Sequence, residues 1–269
     1  MVDFFGGQED NGSNDKIYMQ KDNWDKKQEE EFKIIIKKFF DNKIDFILNK
    51  SKNPLEIGDN LAEILKNSDE DVVKIITPRA VKKWASPQTL PKWEEILGNS
   101  PMLLELRIIG RSIANTMRPL AGNNFARWVA KILNIYFLQK NMPLKAITSG
   151  PIKRELEQKF KTKVGKGGVR DYKPDVDIIL IRIDKGNKPV AIISAKTTLA
   201  ERVMQTITWS RYLKIKVFLV TAWETFESGT NRERVQELDG VYVCNKDVQE
   251  YGNIKLFSKI TKDLEKFCH

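Results

Sequence analysis

Two apolar runs joined by a four-residue turn constrain this chain more than any other feature: VDIILIRID, then KGNK, then PVAIISAK, spanning residues 176–196. Runs so rich in β-branched residues, bounded by turn residues, read as the two strands of an antiparallel hairpin in a largely buried sheet. Charges are placed sparingly around both. Asp175 and Asp177 head the first run, and Lys196 closes the second. On a strand, side chains two residues apart share a face and lie about 7 Å from each other, so the two aspartates point the same way. In simple hairpin register the end of the second strand returns beside the start of the first. Lys196 is therefore expected next to the aspartates, with Ser194 on the same face.

A carboxylate held against the end of a buried sheet needs a reason, and binding a divalent cation is a good one. A neighbouring lysine can orient or help deprotonate an attacking water and can offset phosphate charge. Composition narrows the chemistry further. The single histidine is His269, the last residue. Ser–His–Asp or Cys–His catalysis, histidine-based zinc chemistry and HNH-type nucleases are not expected from such a chain. Cys244 and Cys268 belong to no CxxC, so the sequence predicts a reduced, cytoplasmic setting without structural zinc. No apolar stretch approaches the roughly 20 residues needed to span a bilayer. The opening MVDFFGGQEDNG lacks a positive segment followed by an apolar one, so no secretory signal is expected. A formal net charge of +10 points to a polyanionic partner, because Lys and Arg that neutralise phosphates release condensed counterions.

The half that precedes the hairpin reads as all-α. DKKQEEEFKIIIKKFFDNKIDFIL (25–48) places apolar residues at helical spacing behind an acidic first turn. LEIGDNLAEILK after Pro54 predicts another helix. Shorter pieces are expected around EDVVKII, PRAVKKWA and PKWEEIL, with Pro78, Pro87 and Pro91 as breaks, and 103–118 reads as a helix ending at Pro119. The strongest helical pattern is GNNFARWVAKILNIYFLQK (122–140), in which Phe125, Val129, Ile132, Leu133 and Tyr136 form one apolar stripe. The pattern then changes. Residues 151–173 are basic and become glycine-rich (VGKGGVRDYK), and the hairpin follows. TLAERVMQTITWSRYLK reads as a helix, KVFLVTAW and GVYVCNKDV as strands, and ITKDLEKFC as a closing helix. The expected fold is α/β (α+β): a central mixed sheet flanked by helices, with an N-terminal all-α region. Residues 1–119 and 120–269 are the expected domains.

Pro174–Asp175, the hairpin, Ser194–Ala195–Lys196 and the helix after it resemble the PD-(D/E)XK nuclease superfamily, and within it the type II restriction endonucleases. The resemblance covers roughly residues 120–225, with helix 122–140 standing for the one that precedes the catalytic hairpin. It implies a restriction-endonuclease-like core and Mg²⁺-dependent, sequence-specific cleavage of double-stranded DNA to 5′-phosphate and 3′-hydroxyl ends. Cutting both strands of a palindromic site implies a homodimer. Asp175 and a second acid would hold Mg²⁺, with Lys196 assisting the water. The Pro–Asp pair favours Asp175, and the immediate run into Ile178 keeps Asp177 as an alternative metal ligand. Ser194 stands where the second acid of the motif belongs. A group of restriction enzymes that recognise sites containing CCGG also carries serine there and takes the carboxylate from the following helix. In that group the acid lies where this chain has Thr208, Trp209 and Ser210, so Glu201, the first acid on the helix, is a substitute and not a motif match. By the same resemblance Arg202 and Gln205 are candidates for base contact. Lys166 and Arg170, in the basic stretch, are candidate DNA contacts, and residues 1–119 would supply DNA grip or dimer contacts. Two rival readings keep the fold: a structure-specific repair or recombination nuclease, and a catalytically inert basic DNA-binding protein in which Ser194 marks a lost acid.

Overall fold

A run such as IILIR, apolar at nearly every position, can satisfy its backbone only inside a sheet covered on both faces, and this run lies in one. The computed structural model describes residues 26–84, 100–159, 162–164, 170–172, 176–197, 206–207, 210–211, 215–223, 226 and 229–268. The chain divides into two compact units, Met1–Lys38 with Val72–Thr116, and Phe39–Asp71 with Met117–His269. The helices are α1 (Lys26–Lys50), α2 (Pro54–Asp59), α3 (Leu61–Trp84), α4 (Ser100–Gln139), α5 (Pro151–Lys159), α6 (Gly229–Arg234) and α7 (Ile260–Leu264). The strands are β1 (Leu144–Ile147), β2 (Thr162–Val164), β3 (Arg170–Tyr172), β4 (Ile178–Arg182), β5 (Lys188–Lys196), β6 (Lys216–Thr221), β7 (Gly240–Val243) and β8 (Ile254–Leu256).

Six strands make one mixed sheet in the order β1-β4-β5-β6-β7-β8, and β2 pairs with β3 apart from it. The expected hairpin lies inside it: β4 and β5 are antiparallel, with Ile178 opposite Ile193 and Leu180 opposite Ala191. Chain reversal uses Gly186 at φ 66° and Asn187 at φ 62°, left-handed conformations that glycine and asparagine tolerate best and that suit a tight hairpin turn. β1 adds antiparallel to β4, whereas β6, β7 and β8 add parallel beyond β5. One face carries Ile179, Ile192, Val217, Leu219, Val241 and Val243, packed with Ile207, Phe226, Val235 and Leu238. The other carries Leu180, Ile193, Ala195, Phe218, Val220 and Tyr242, all buried. The α/β architecture read from the sequence, a mixed sheet with flanking helices, is the one observed.

The helices obey their own stripes. Buried Phe32, Ile36, Phe40, Ile44 and Leu48 recur every fourth residue of α1, one face of a 3.6-residue period. In α4 the five residues of the expected stripe, Phe125 to Tyr136, are all buried. Trp128 joins them and donates its indole N–H to the Phe40 carbonyl at 3.2 Å. Asn134 clasps the edge strand β1, donating to the Ala146 carbonyl at 2.9 Å and accepting from the Ala146 N–H at 2.7 Å. Two expected breaks are not breaks. α3 runs through Pro78 and α4 through Pro119. An interior proline removes one helical hydrogen bond and crowds the preceding turn. In α3 the burial of Leu65, Val72, Ile76 and Ala80 continues on both sides of Pro78, and that apolar face holds the helix together across it. No described helix is long and apolar enough to cross a membrane.

Candidate active site

The polar residues at the end of β5 stand out against the apolar sheet behind them. Continuing the β4–β5 register by one residue from Ile178 opposite Ile193 puts Asp177 across from Ser194. Side chains on one face alternate, so Asp177, Ser194 and Lys196 share the face that also carries Ile179 and Ile192. The expected juxtaposition of acid and lysine is present. Lys196 Nζ lies 2.8 Å from Asp177 Oδ2. The same oxygen accepts the Ala195 N–H at 2.8 Å, so the carboxylate extends the hairpin ladder by one rung. The Ser194 hydroxyl stands 3.5 Å from it. Ser194 Oγ is also 3.3 Å from the hydroxyl of Thr206, a helical residue over this face.

Burial gives the pair its character. The side chain of Lys196 is 5% exposed and that of Asp177 is 20% exposed. An ammonium taken that far out of water is tolerated only beside a compensating charge. The carboxylate thus faces inward to the lysine and outward to solvent, at the open end of the strands. Hard oxygen donors of this kind, a carboxylate with a hydroxyl beside it, fit Mg²⁺, which usually takes one or two carboxylates and completes its shell with water and phosphate oxygens. Among the described residues no group of three or more His, Cys, Asp or Glu side chains converges on one point. Such an ion would take its remaining donors from elsewhere.

Of the residues singled out in the sequence, Asp177 and Lys196 are brought together, with Ser194 on their face. Asp175, Glu201, Arg202, Gln205 and Lys166 lie outside the described residues, as do Thr208 and Trp209. The backbone of Arg170 opens strand β3. Two hydroxyl residues at the site carry no signal in the sequence, Thr206 and Thr221. The first is revealed only by its bond to Ser194. The second stands beside Lys196 in the β5–β6 register, which depends on a crossover whose length fixes no register by itself. Cys244 and Cys268 are free thiols, the first of them buried.

Comparison with known proteins places part of this chain beside restriction enzymes. Residues 152–267, which contain the whole β4–β5 hairpin and its acid–lysine pair, match the family model described as BsaWI restriction endonuclease type 2. A protein of Methanocaldococcus jannaschii named as a putative type II restriction enzyme, MjaVIP, is 29% identical over 138 residues, 45% of this chain and 61% of that protein. The chain therefore spans about three fifths of the curated relative it matches. No solved structure matches. Both descriptions name type II restriction enzymes.

Proposed function

We propose that this chain is a type II restriction endonuclease, a Mg²⁺-dependent hydrolase that cuts double-stranded DNA at a specific site. The observation that carries the reading is the Asp177–Lys196 pair, at 2.8 Å, on the open end of a central hairpin that falls inside the region matching restriction endonucleases. A net charge of +10 supports a DNA partner, and a palindromic site would call for a homodimer.

The roles follow from chemistry. Asp177, with Asp175 and Glu201 as further candidates, would hold Mg²⁺. When bound, the ion supplies charge for the phosphate oxygens and a lower pKa for a coordinated water. Lys196, fixed by the Asp177 carboxylate and by its own burial, orients a water in line with the scissile phosphate and offsets the charge that grows on the phosphoryl oxygens. The water oxygen bonds to phosphorus, the bond to the 3′ oxygen breaks, and that oxygen takes up a proton. The products are a 5′-phosphate and a 3′-hydroxyl. Ser194, in the place of the missing acid, aligns the Asp177 carboxylate instead of adding charge. Arg202 and Gln205 would read base edges, Lys166 and Arg170 would meet the backbone, and residues 1–119 would grip DNA or join two copies.

The test is digestion of plasmid DNA of known sequence with and without Mg²⁺, followed by sequencing of the ends. Discrete fragments with 5′-phosphates, absent with Lys196→Ala, support the reading. A smear or junction-dependent nicking moves it to a structure-specific nuclease. DNA binding without cleavage in Mg²⁺ or Mn²⁺ overturns the enzymatic assignment.

A further inference from the structure

Lys196 has a polar neighbour on each side of its strand, and only one of them is engaged. Toward β4 it meets Asp177. Toward β6 the parallel register sets Lys196 beside Thr221 and Ser194 beside Leu219, and register partners on adjacent strands present their side chains on one face, roughly 4.8 Å apart. Val217, Leu219, Val241 and Val243 occupy the neighbouring positions on that face, so Thr221 is a hydroxyl where the surrounding pattern is aliphatic. Its side chain is fully buried, and Thr221 Oγ1 has no hydrogen-bond partner among the described residues. A buried hydroxyl left unpaired carries a desolvation penalty that valine, of nearly the same shape, would avoid.

We propose that Thr221 is a positioning residue for Lys196, the acceptor to which the ammonium turns when a divalent cation takes the Asp177 carboxylate. This rests on the nuclease reading for the identity of the cation. Asp177 Oδ2 faces the lysine at 2.8 Å. A cation on the same carboxylate weakens that contact through competition for the oxygen and through repulsion between two positive charges. An ammonium drawn from that oxygen inside a dry sheet is stabilised by an added acceptor, and the neutral hydroxyl on the adjacent strand provides one without adding charge. Lys196 thereby stays at the site, aimed by the sheet, with its donors redirected.

The experiment is Mg²⁺ binding to the full chain without DNA, followed by calorimetry, for the wild type, Thr221→Val, Thr221→Ser and each in a Lys196→Met background. Metal-free melting temperatures are recorded in parallel. Thr221→Val should weaken Mg²⁺ binding about tenfold, the value of one lost hydrogen bond to a charged group, while melting at or above the wild-type temperature. Thr221→Ser should stay within about twofold of wild type, since it keeps the acceptor. In the Lys196→Met background Thr221→Val should change Mg²⁺ affinity no further. Wild-type Mg²⁺ affinity in Thr221→Val, an equal loss in the Lys196→Met background, or a wild-type chain that takes up no Mg²⁺ overturns the proposal. Intact Mg²⁺ uptake with these couplings but no cleavage of DNA overturns the nuclease reading alone.

Discussion

Replacing Asp177 with asparagine separates charge from shape at the site. The amide oxygen can still accept the Ala195 N–H, but the negative charge beside Lys196 is gone. At 2.8 Å and an effective dielectric constant near 20, the lost attraction is about 6 kcal/mol before compensation. The amide dipole and local relaxation return about half, leaving a loss of about 3 kcal/mol, at the low end of what breaking a buried ion pair costs. For a unit of this size that lowers the melting temperature by about 6–12 °C. Lys196→Met should behave differently. The carboxylate left behind is 20% exposed and keeps the Ala195 N–H, so the loss should be about 1 kcal/mol or less. The double variant should recover most of the Asp177→Asn loss, a coupling of about 2–3 kcal/mol. Thermal melts of the four chains, followed by circular dichroism without divalent cations, measure the cycle. An Asp177→Asn chain as stable as wild type, or a double variant no better than Asp177→Asn, refutes the argument that a buried ammonium depends on this carboxylate.

Other predictions lie away from the site. A methyl group at Gly58 would fall 2.1 Å from Cδ1 of Phe257, so Gly58→Ala should destabilise by about 1–3 kcal/mol in urea unfolding despite its helix propensity, and a loss of zero would show that the ring can move. At Asp263 burial pushes the carboxyl up, but hydrogen bonds from Lys266, Tyr242 and Lys255 outweigh it and hold the pKa down at about 2. A depressed folded pKa means stability that is full above the ordinary carboxyl value and lost as pH falls through the folded one. About 2 kcal/mol should therefore disappear between about pH 4 and pH 2, a slope that Asp263→Asn should flatten in urea midpoints. Burial pushes the Cys244 thiol well above its usual range, so a thiol reagent should label Cys268 in the native chain and Cys244 only after unfolding. Equal labelling rates would contradict the buried placement.

The hairpin was legible because its signals are local: β-branched runs on each side of a Gly-Asn pair fix both the strands and the turn between them. The Asp177–Lys196 contact followed from that register, with Asp175 and Asp177 left unranked. The α4 stripe was legible for a similar reason, since Phe125, Val129, Ile132, Leu133 and Tyr136 repeat over three turns. Strands β1 and β8, with four and three residues, are too short to show alternation, and they exist because β4 and β7 offer edges to pair with. Pro78 reads as a stop because proline is judged locally, whereas α3 is held by a buried face that continues beyond it, and α4 runs through Pro119 in a way that the same local reading misses. Thr221 was invisible because its neighbour is chosen by a parallel crossover, and nothing between Lys196 and Lys216 fixes how far β6 slides along β5.

Strand β5 is the seam between two kinds of pairing, antiparallel toward β4 and parallel toward β6. Antiparallel contacts across a five-residue connection close early in folding, while parallel contacts wait for a long excursion of chain. The acid and the ammonium should accordingly find each other in the nascent hairpin, before the hydroxyl on the far flank arrives. In a chain caught midway the lysine would be paired with Asp177 before the parallel strands dock, and amide protection at Ala195 should build up ahead of protection at Ala222.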